Sequence, residues 1–557
     1  MAYSGRYTAG PGPLAVAGPE AGAGEGDFFL GLPDNLGRGV NTGTWGQRSN
    51  VFALYFQDDW RFSNNLTLNL GLRYQTYTPW SEVEDRQANF APISGVIQCA
   101  GDGRPDLGCD RPATIYGNNR ALYNPTNWSI GNFQPRIGFA WMPDRLKGKT
   151  VVRGAYTISS YLEGTGTNLR LPLNPPFTTE FGKNYFSQSL PSSRSENGLT
   201  VLSSPDDPFS GAVIRLWDPN VRPAVVQQWN LAVQHQFTDT MTLQVGYVGQ
   251  HGTHLMVPMP YFQRILLGGF DADGKPRTAP SPYLSGNPEL ASIDQISGTE
   301  SNGNLSYNAL QAVLQKRFSS GLSFQVAYTY SKAMTDSSGY YGSWGGQTIP
   351  TSPYWQNLYD GRAEWGPAFY DVTNALSAYV VYELPFGRGQ KYGSNLNSVA
   401  NAIVSGWQAS GIFEFHGGYP LTISGGDASG TNSRGPRANC IGPARVFGTR
   451  EPRDSDGAPV PGYQWFDPNA YGPADPGTFG TCGVGTVRGP SLNTVDLGLQ
   501  KSFAITETMG IQFRSEFINF TNTPILTAPN AGLGGTLGLL QGSQGPRTIQ
   551  FGLKFYF

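Results

Sequence analysis

Four cysteines, four histidines and two Asp-rich segments are the residues of this 557-residue chain whose types and spacing could do chemistry. Cys99 and Cys109 stand with nine residues between them, Cys440 and Cys482 with 41. In an oxidising compartment each pair suits a disulfide. The chain-entropy model values such a link at on the order of 3 kcal/mol. Free thiols or crossed pairing are the alternatives, and neither pair has the close spacing of a zinc site. His251 and His254 offer two imidazoles where a strand gives way to a loop, but the glutamate and helical spacing of a zinc protease are missing. Asp271-Ala-Asp273-Gly274 and Asp454-Ser-Asp456-Gly457 match the opening of a calcium loop without the glutamate that completes it. Turn formation by Asp and Gly accounts for both. The sequence carries no Gly-x-Ser-x-Gly elbow and no phosphate-cradling glycine loop. No catalytic, cofactor or metal site is therefore expected.

The composition explains what must carry these residues. Charged residues are 14% and aromatics 13%, with 73 Gly and 42 Pro, a balance that favours many strands and turns. A net charge of −2 leaves no basic field to gather nucleic acid. No apolar run approaches the roughly 18 to 20 residues of a membrane helix, and mean hydropathy is −0.32. A membrane barrel stays open, because its lumen-facing residues dilute the average. The first residues, MAYSGRYTAGPGPLAVAGPEAGAG, lack a basic segment before an apolar one and are broken by Pro11, Pro13 and Pro19. They do not read as a signal peptide, so an export address is expected upstream of Met1.

Period-two alternation recurs along the chain. In NLTLNLGLRYQTYTP, Leu66, Leu68, Leu70, Leu72 and Tyr74 alternate with Thr67, Asn69, Gly71, Arg73 and Gln75, which reads as a strand. VFALYFQDDWR precedes it across the turn residues Ser63 to Asn65. QPRIGFAWMP with TVVRGAYTISSY, VVQQWNLAVQHQF with MTLQVGYVGQ, and LSYNALQAVLQKRF with LSFQVAYTYSK repeat the unit. DVTNALSAYVVYELP with VSGWQASGIFEFH, LNTVDLGLQKSF with TMGIQFRSEFINF, and the terminal TIQFGLKFYF complete thirteen strands. SGRYT near Met1 suggests the end of a fourteenth. Connections at 62–64, 143–149, 238–240, 319–320 and 504–507 are short, and those at 79–133, 162–224, 253–304, 334–369, 417–491 and 522–546 are long; only 386–403 is intermediate. Short periplasmic turns opposite long extracellular loops mark a transmembrane barrel, and many of these strands have the nine or so residues that cross a bilayer.

The expected fold is thus all-β, an antiparallel transmembrane β-barrel in the outer membrane with long extracellular loops. Trp60, Trp80, Trp141, Tyr161, Trp229 and Trp407 suit interfacial girdles. Arg73, Gln75, Arg514 and Glu516 would face the lumen. Gln550, Gly552, Phe555 and Phe557 resemble the C-terminal assembly signal that the barrel-assembly machinery of outer membranes recognises. Main-chain addition to an exposed sheet edge supplies the physical basis, with Gly552 expected to permit close backbone approach.

Further stretches carry a family resemblance: DFFLGLP (27–33), ALYFQDDWRFSNNLTLNLGLRY (53–74), QPRIGFAW (134–141), WDPNVRPAVVQQWNLAVQHQF (217–237), YNALQAVLQKRFSSGLSFQVAYTYSKA (307–333), GWQASGIFEFHGGYPLTI (406–423) and GIQFRSEFINFTN (510–522). Together they resemble the barrel portion of TonB-dependent receptors, in particular the Oar-like branch. The resemblance implies a barrel of about twenty-two strands around a plugged lumen, an upstream plug with a TonB-contacting box, and siderophore- or carbohydrate-type ligands. Residues 1–48 would then be a partial strand and extracellular loop, and 49–557 the C-terminal part of the barrel. The plug is absent from this sequence, so contact with the TonB complex is expected only through that missing region. A truncated product is the expectation. Ligand uptake is the leading reading, with outer-membrane lipid as surroundings. A surface adhesion or structural barrel is the alternative, and an outer-membrane enzyme a third.

Overall fold

The computed structural model describes the chain except residues 4–6, 9–23, 34, 42, 92–94, 105–108, 110–121, 123–131, 163–170, 185–190, 192–193, 198–212, 285–294, 338–342, 345–346, 349–352, 451–461, 507 and 541. Thirteen long strands form one antiparallel meander in chain order. They are β1 (Val51–Ser63), β2 (Leu66–Tyr77), β3 (Phe133–Trp141), β4 (Thr150–Tyr161), β5 (Ala224–Thr238), β6 (Met241–Pro260) and β7 (Gln295–Ser319). After them come β8 (Leu322–Thr335), β9 (Asn374–Glu383), β10 (Trp407–His416), β11 (Leu492–Ala504), β12 (Gly510–Ile518) and β13 (Thr548–Tyr556). Among the described residues no helix is long and apolar enough to cross a membrane. Of residues 4–8, the expected end of a fourteenth strand, Tyr7 and Thr8 form a turn, and Ser4 to Arg6 lie outside the described residues.

Alternation decides which side of the sheet meets lipid, because directly paired residues share a face. One rung runs Trp60, Leu68, Phe139, Gly154, Leu231, Tyr247, Leu310 and Tyr330 from β1 to β8. Another runs Phe324, Val380, Gly411, Leu497, Phe517 and Ile549 from β8 to β13. The opposite face carries Gln228, Gln250 and Tyr307 on one rung and Gln408, Gln500, Arg514 and Gly552 on another. A sheet apolar on one side and polar on the other fits hydrocarbon outside and water inside.

Glycines in the apolar rungs seat aromatic neighbours. A Cβ on Gly154 would stand 2.5 Å from Cε1 of Phe139, and one on Gly249 would stand 2.2 Å from Nε1 of Trp229. Trp229, expected in an interfacial girdle, thus lies over Gly249, its partner on β6.

The packed core is not between the membrane strands. Its clusters lie in the long connections and the strand ends they join, so the loops form a headpiece with its own interior. β6 and β7 run into it, beyond the expected limits at 253 and 304. Their pairing slips between Gly252 and Val257, His254 takes a positive φ of 59°, and ordinary rungs resume from Val257–Glu300 to Pro260–Ser297. A bulge of this kind breaks the period-two pattern without ending the strand, so the sequence reads as a loop there. Val213–Trp217 adds in parallel to β7, and Asn35–Asn41 pairs with Thr178–Asn184.

Replacing Gly249 by Val must displace the Trp229 indole, at a cost of about 1–3 kcal/mol. The same measurement on Gly426→Ala, where an added Cβ meets nothing within 4 Å, should show no change. Urea midpoints of the membrane-inserted protein, read by tryptophan fluorescence, check both.

Candidate functional site: the headpiece and its clefts

The structure joins Cys99 to Cys109 with Cα atoms 5.7 Å apart and Cys440 to Cys482 with Cα atoms 4.9 Å apart. Each link stays within one long connection, and Cys99, Cys109 and Cys482 sit in buried clusters. The links tie headpiece segments whose short strands, many of two to five residues, could not hold register alone.

Buried charge ties one connection to the next. Arg437 Nη1 donates to Glu364 Oε2 at 2.6 Å, its Nε donates to the Cys482 carbonyl at 2.8 Å, and its backbone N–H donates to Gln356 Oε1 at 2.8 Å. Both side chains of the ion pair are buried. Burial pushes the Glu364 carboxyl up, and Arg437 pulls against that shift. Arg488 pairs with the buried Asp371 and also donates to the Gly418 carbonyl at 3.2 Å. Nearby, the Tyr261 hydroxyl donates to Glu300. Burial raises the Glu300 carboxyl, with Asp218 adding to the effect and the Tyr261 hydrogen bond opposing it.

His251 and His254 do not converge on a ligand. His251 is a rung residue opposite Gln227 and Ser306. His254 lies at the bulge with Nε2 3.5 Å from Arg222 Nη1. Burial and then that guanidinium hold its imidazole below the usual range. Asp271 closes a hairpin turn, its Oδ1 accepting from the Asp273 and Lys275 backbone N–H groups at 2.9 and 2.8 Å. Asp454, Asp456 and Gly457 lie outside the described residues. Among the described residues no three His, Cys, Asp or Glu side chains gather as a metal would require.

A cleft of about 660 Å³ opens at the outer ends of β10 and β11, where the 417–491 and 519–547 connections meet. Phe369, His416, Tyr419, Ser491, Thr527 and Gln544 are in its wall. His416 Nδ1 lies 2.9 Å from the Gly417 carbonyl and must donate to it. The other ring nitrogen is thereby left for a ligand. The His416 and Tyr419 rings are 5.2 Å apart. Register places His416 at the top of the polar face of β10, above Glu414 and Ser410. Neither this cleft nor the Arg437 network was expected from the sequence; the only signal near the cleft was the stretch 406–423.

The remaining expected residues are dispersed. Arg73 Nε donates to Gln75 Oε1 at 2.9 Å, and Arg514 Nε to Gln512 Oε1 at 2.7 Å. Glu516 is paired with Gly498 and Gln550. Trp60, Trp141 and Tyr161 are exposed on the sheet. Trp407 Nε1 donates to the Ile403 carbonyl at 2.9 Å. Trp80 departs from the girdle reading, because it packs against a buried headpiece cluster. Gln550, Gly552 and Phe555 lie on β13 paired to β12, and Phe557 follows it. A Cβ on Gly552 would meet only Arg514 Cβ at 3.9 Å. The pairing of β12 with β13 therefore does not itself require glycine there.

With thirteen meandering strands, one apolar face and a loop headpiece, the molecule has the build of an outer-membrane barrel. The chain belongs to the outer membrane beta barrel domain family, whose sequence model matches residues 1–550, and it resides in the outer membrane. No curated protein sequence matches it. Among solved structures it is similar to the pyoverdine receptor FpvA from Pseudomonas aeruginosa, at 10% identity and TM-score 0.40, covering 93% of this chain and 43% of that one. It is likewise similar to the outer membrane transporter YddB from Escherichia coli, at 11% identity and TM-score 0.41, covering 91% and 45%. The FrpB iron transporter from Neisseria meningitidis matches at 10% identity and TM-score 0.39, covering 93% and 47%. The chain spans less than half the length of each of these three.

Removing one partner of the Arg437–Glu364 pair strands a buried charge, at about 3–5 kcal/mol. Arg437→Leu and Glu364→Leu should each destabilise the headpiece by that order, and the double variant by clearly less than the sum, with a coupling of about 2–3 kcal/mol. Hydrogen exchange of the 356–373 and 420–488 segments measures it.

Proposed function

We propose that this chain is the C-terminal barrel portion of a TonB-dependent receptor of the Oar-like branch, which takes a ligand across the outer membrane. The observation that carries the reading is a cleft at the outer mouth of a polar sheet face. A ligand captured there stands at the top of the water-facing side of the strands. The sequence stretches that resemble the family, from 27–33 to 510–522, support the finer assignment. Residues 1–48 and 49–557 would be extracellular and barrel portions, with the plug and TonB contact supplied by sequence outside this chain.

Strand direction supports the same reading. β1 and β13 both run from the long-loop side to the short-turn side, so antiparallel closure takes an odd number of further strands. Nine would bring thirteen to the roughly twenty-two of plugged outer-membrane transporters. In cells carrying the gene, labelled nutrients should accumulate in a manner abolished by a protonophore, and cells lacking it should lose that accumulation. Unchanged accumulation with weaker attachment to surfaces would favour the adhesion reading instead.

We also read the terminal strand as the segment offered to the barrel-assembly machinery. β13 presents Phe551, Leu553 and Phe555 outward, and Phe557 follows them. Phe555→Ser and Phe557→Ser should lower the folded protein recovered from outer membranes several-fold, measured by heat-modifiable mobility on gels. Gly552→Ala, for which there is room, should leave the stability of protein already folded unchanged. Full recovery of both Phe variants would make the ending an ordinary closing strand.

A further inference from the structure

From the cleft at the outer ends of β10 and β11 we infer a binding site for an uncharged, polyhydroxylated ligand, a neutral oligosaccharide. The inference rests on the uptake reading only for its biological use; the binding chemistry stands by itself. Of the described side chains that line the cleft, none is Asp, Glu, Lys or Arg. The cation beside it, Arg488, is already committed to Asp371 and to the Gly418 carbonyl. Next down the same face come Glu414 on β10 and Asp496 on β11. An anionic ligand would meet these carboxylates before it reached Arg514, the cation lower on the same face, which opposes its entry.

What the wall does offer is mixed. Phe369, His416 and Tyr419 present ring surface, against which the apolar C–H faces of a sugar ring pack. Ser491 and Gln544 bring a hydroxyl and an amide that can each donate and accept, and Thr527, whose hydroxyl donates to the Gly542 carbonyl at 3.0 Å, adds an acceptor. Small polar groups fixing an amphipathic ligand against rings is the usual economy of a ligand pocket, and about 660 Å³ lies within the 300–1,000 Å³ range of such pockets. A highly charged chelate would need the opposite lining.

The test measures binding to the full chain in detergent by isothermal titration calorimetry. The probes are maltohexaose, cellohexaose, laminarihexaose and xylohexaose, with trigalacturonate as the anionic comparison. At least one neutral probe should bind, with trigalacturonate about tenfold weaker or more. Tyr419→Ala should weaken that neutral probe about tenfold, and Tyr419→Phe, which keeps the ring, should weaken it less. Circular dichroism and heat-modifiable mobility identify a variant that has failed to fold, in which case Gln544→Ala, on an exposed side chain, supplies the decision by weakening the same probe. Binding by trigalacturonate alone, no binding by any neutral probe, or indifference to the folded Tyr419 and Gln544 variants would overturn the inference. Neutral-probe binding without energy-dependent accumulation would sink the uptake reading and spare this one; accumulation of a charged nutrient alone would do the reverse.

Discussion

Inside hydrocarbon there is no water to satisfy a peptide group, so every backbone N–H and C=O in the membrane must find a protein partner. That demand accounts for the unbroken pairing from Val51–Tyr77 at one edge of the sheet to Gly510–Tyr556 at the other. It also explains the order of the strands. A meander of neighbours pairs each strand with the next in sequence through the shortest connections, and six of these links are confined to the side with turns. Side-chain alternation then follows from the pleat, and the choice of apolar or polar face is made once for a whole rung.

Beyond the outer interface the solvent changes and so does the architecture. Water can satisfy peptides there, and burial of apolar surface again becomes the driving force. The headpiece accordingly gathers Phe90, Trp217, Leu171 and Ile214 into interiors of the ordinary kind, while the membrane strands keep their large apolar residues outside. The slipped pairing between Gly252 and Val257 on β6 is the joint between the two regimes. Below it, Tyr247 is exposed toward lipid; above it, Val257 and Met259 are buried. One strand serves two solvents by bending at a bulge.

This division also explains what the sequence could disclose. The thirteen membrane strands were legible because lipid imposes strict alternation over nine or more residues, as in Leu66 to Tyr74, and because turn lengths alternate with it. The headpiece was not. Its strands, such as Pro420–Leu421 and Val487–Arg488, are two residues long and leave no period to detect. Arg437 and Glu364 are 73 residues apart, and nothing in either neighbourhood announces the other. The cleft was hidden for the same reason, since its wall is drawn from residues 369 to 544. Trp80 was misplaced because a tryptophan flanking a strand reads the same whether its ring sits at the interface or joins a core.

The same hydrogen-bond demand bears on the two edges of the sheet. Among the described residues no strand pairs the outer side of β1 or β13, and each unpaired peptide group facing hydrocarbon costs several kcal/mol. Alternate residues of the thirteen in β1 and the nine in β13 turn their N–H and C=O to these edges, a cost that side-chain burial cannot offset, so in hydrocarbon both edges call for partners. Direct union of the edges would be parallel, and so would their union with a second copy in the same orientation. Parallel ladders are slightly weaker per residue, and the single-chain barrels of bacterial outer membranes, even in strand number, close without one. Strands running from the turn side to the loop side against each edge meet the demand with the same antiparallel ladder used everywhere else in the sheet. The constraint that orders the interior of the arc thus also specifies the direction of what must lie beside it.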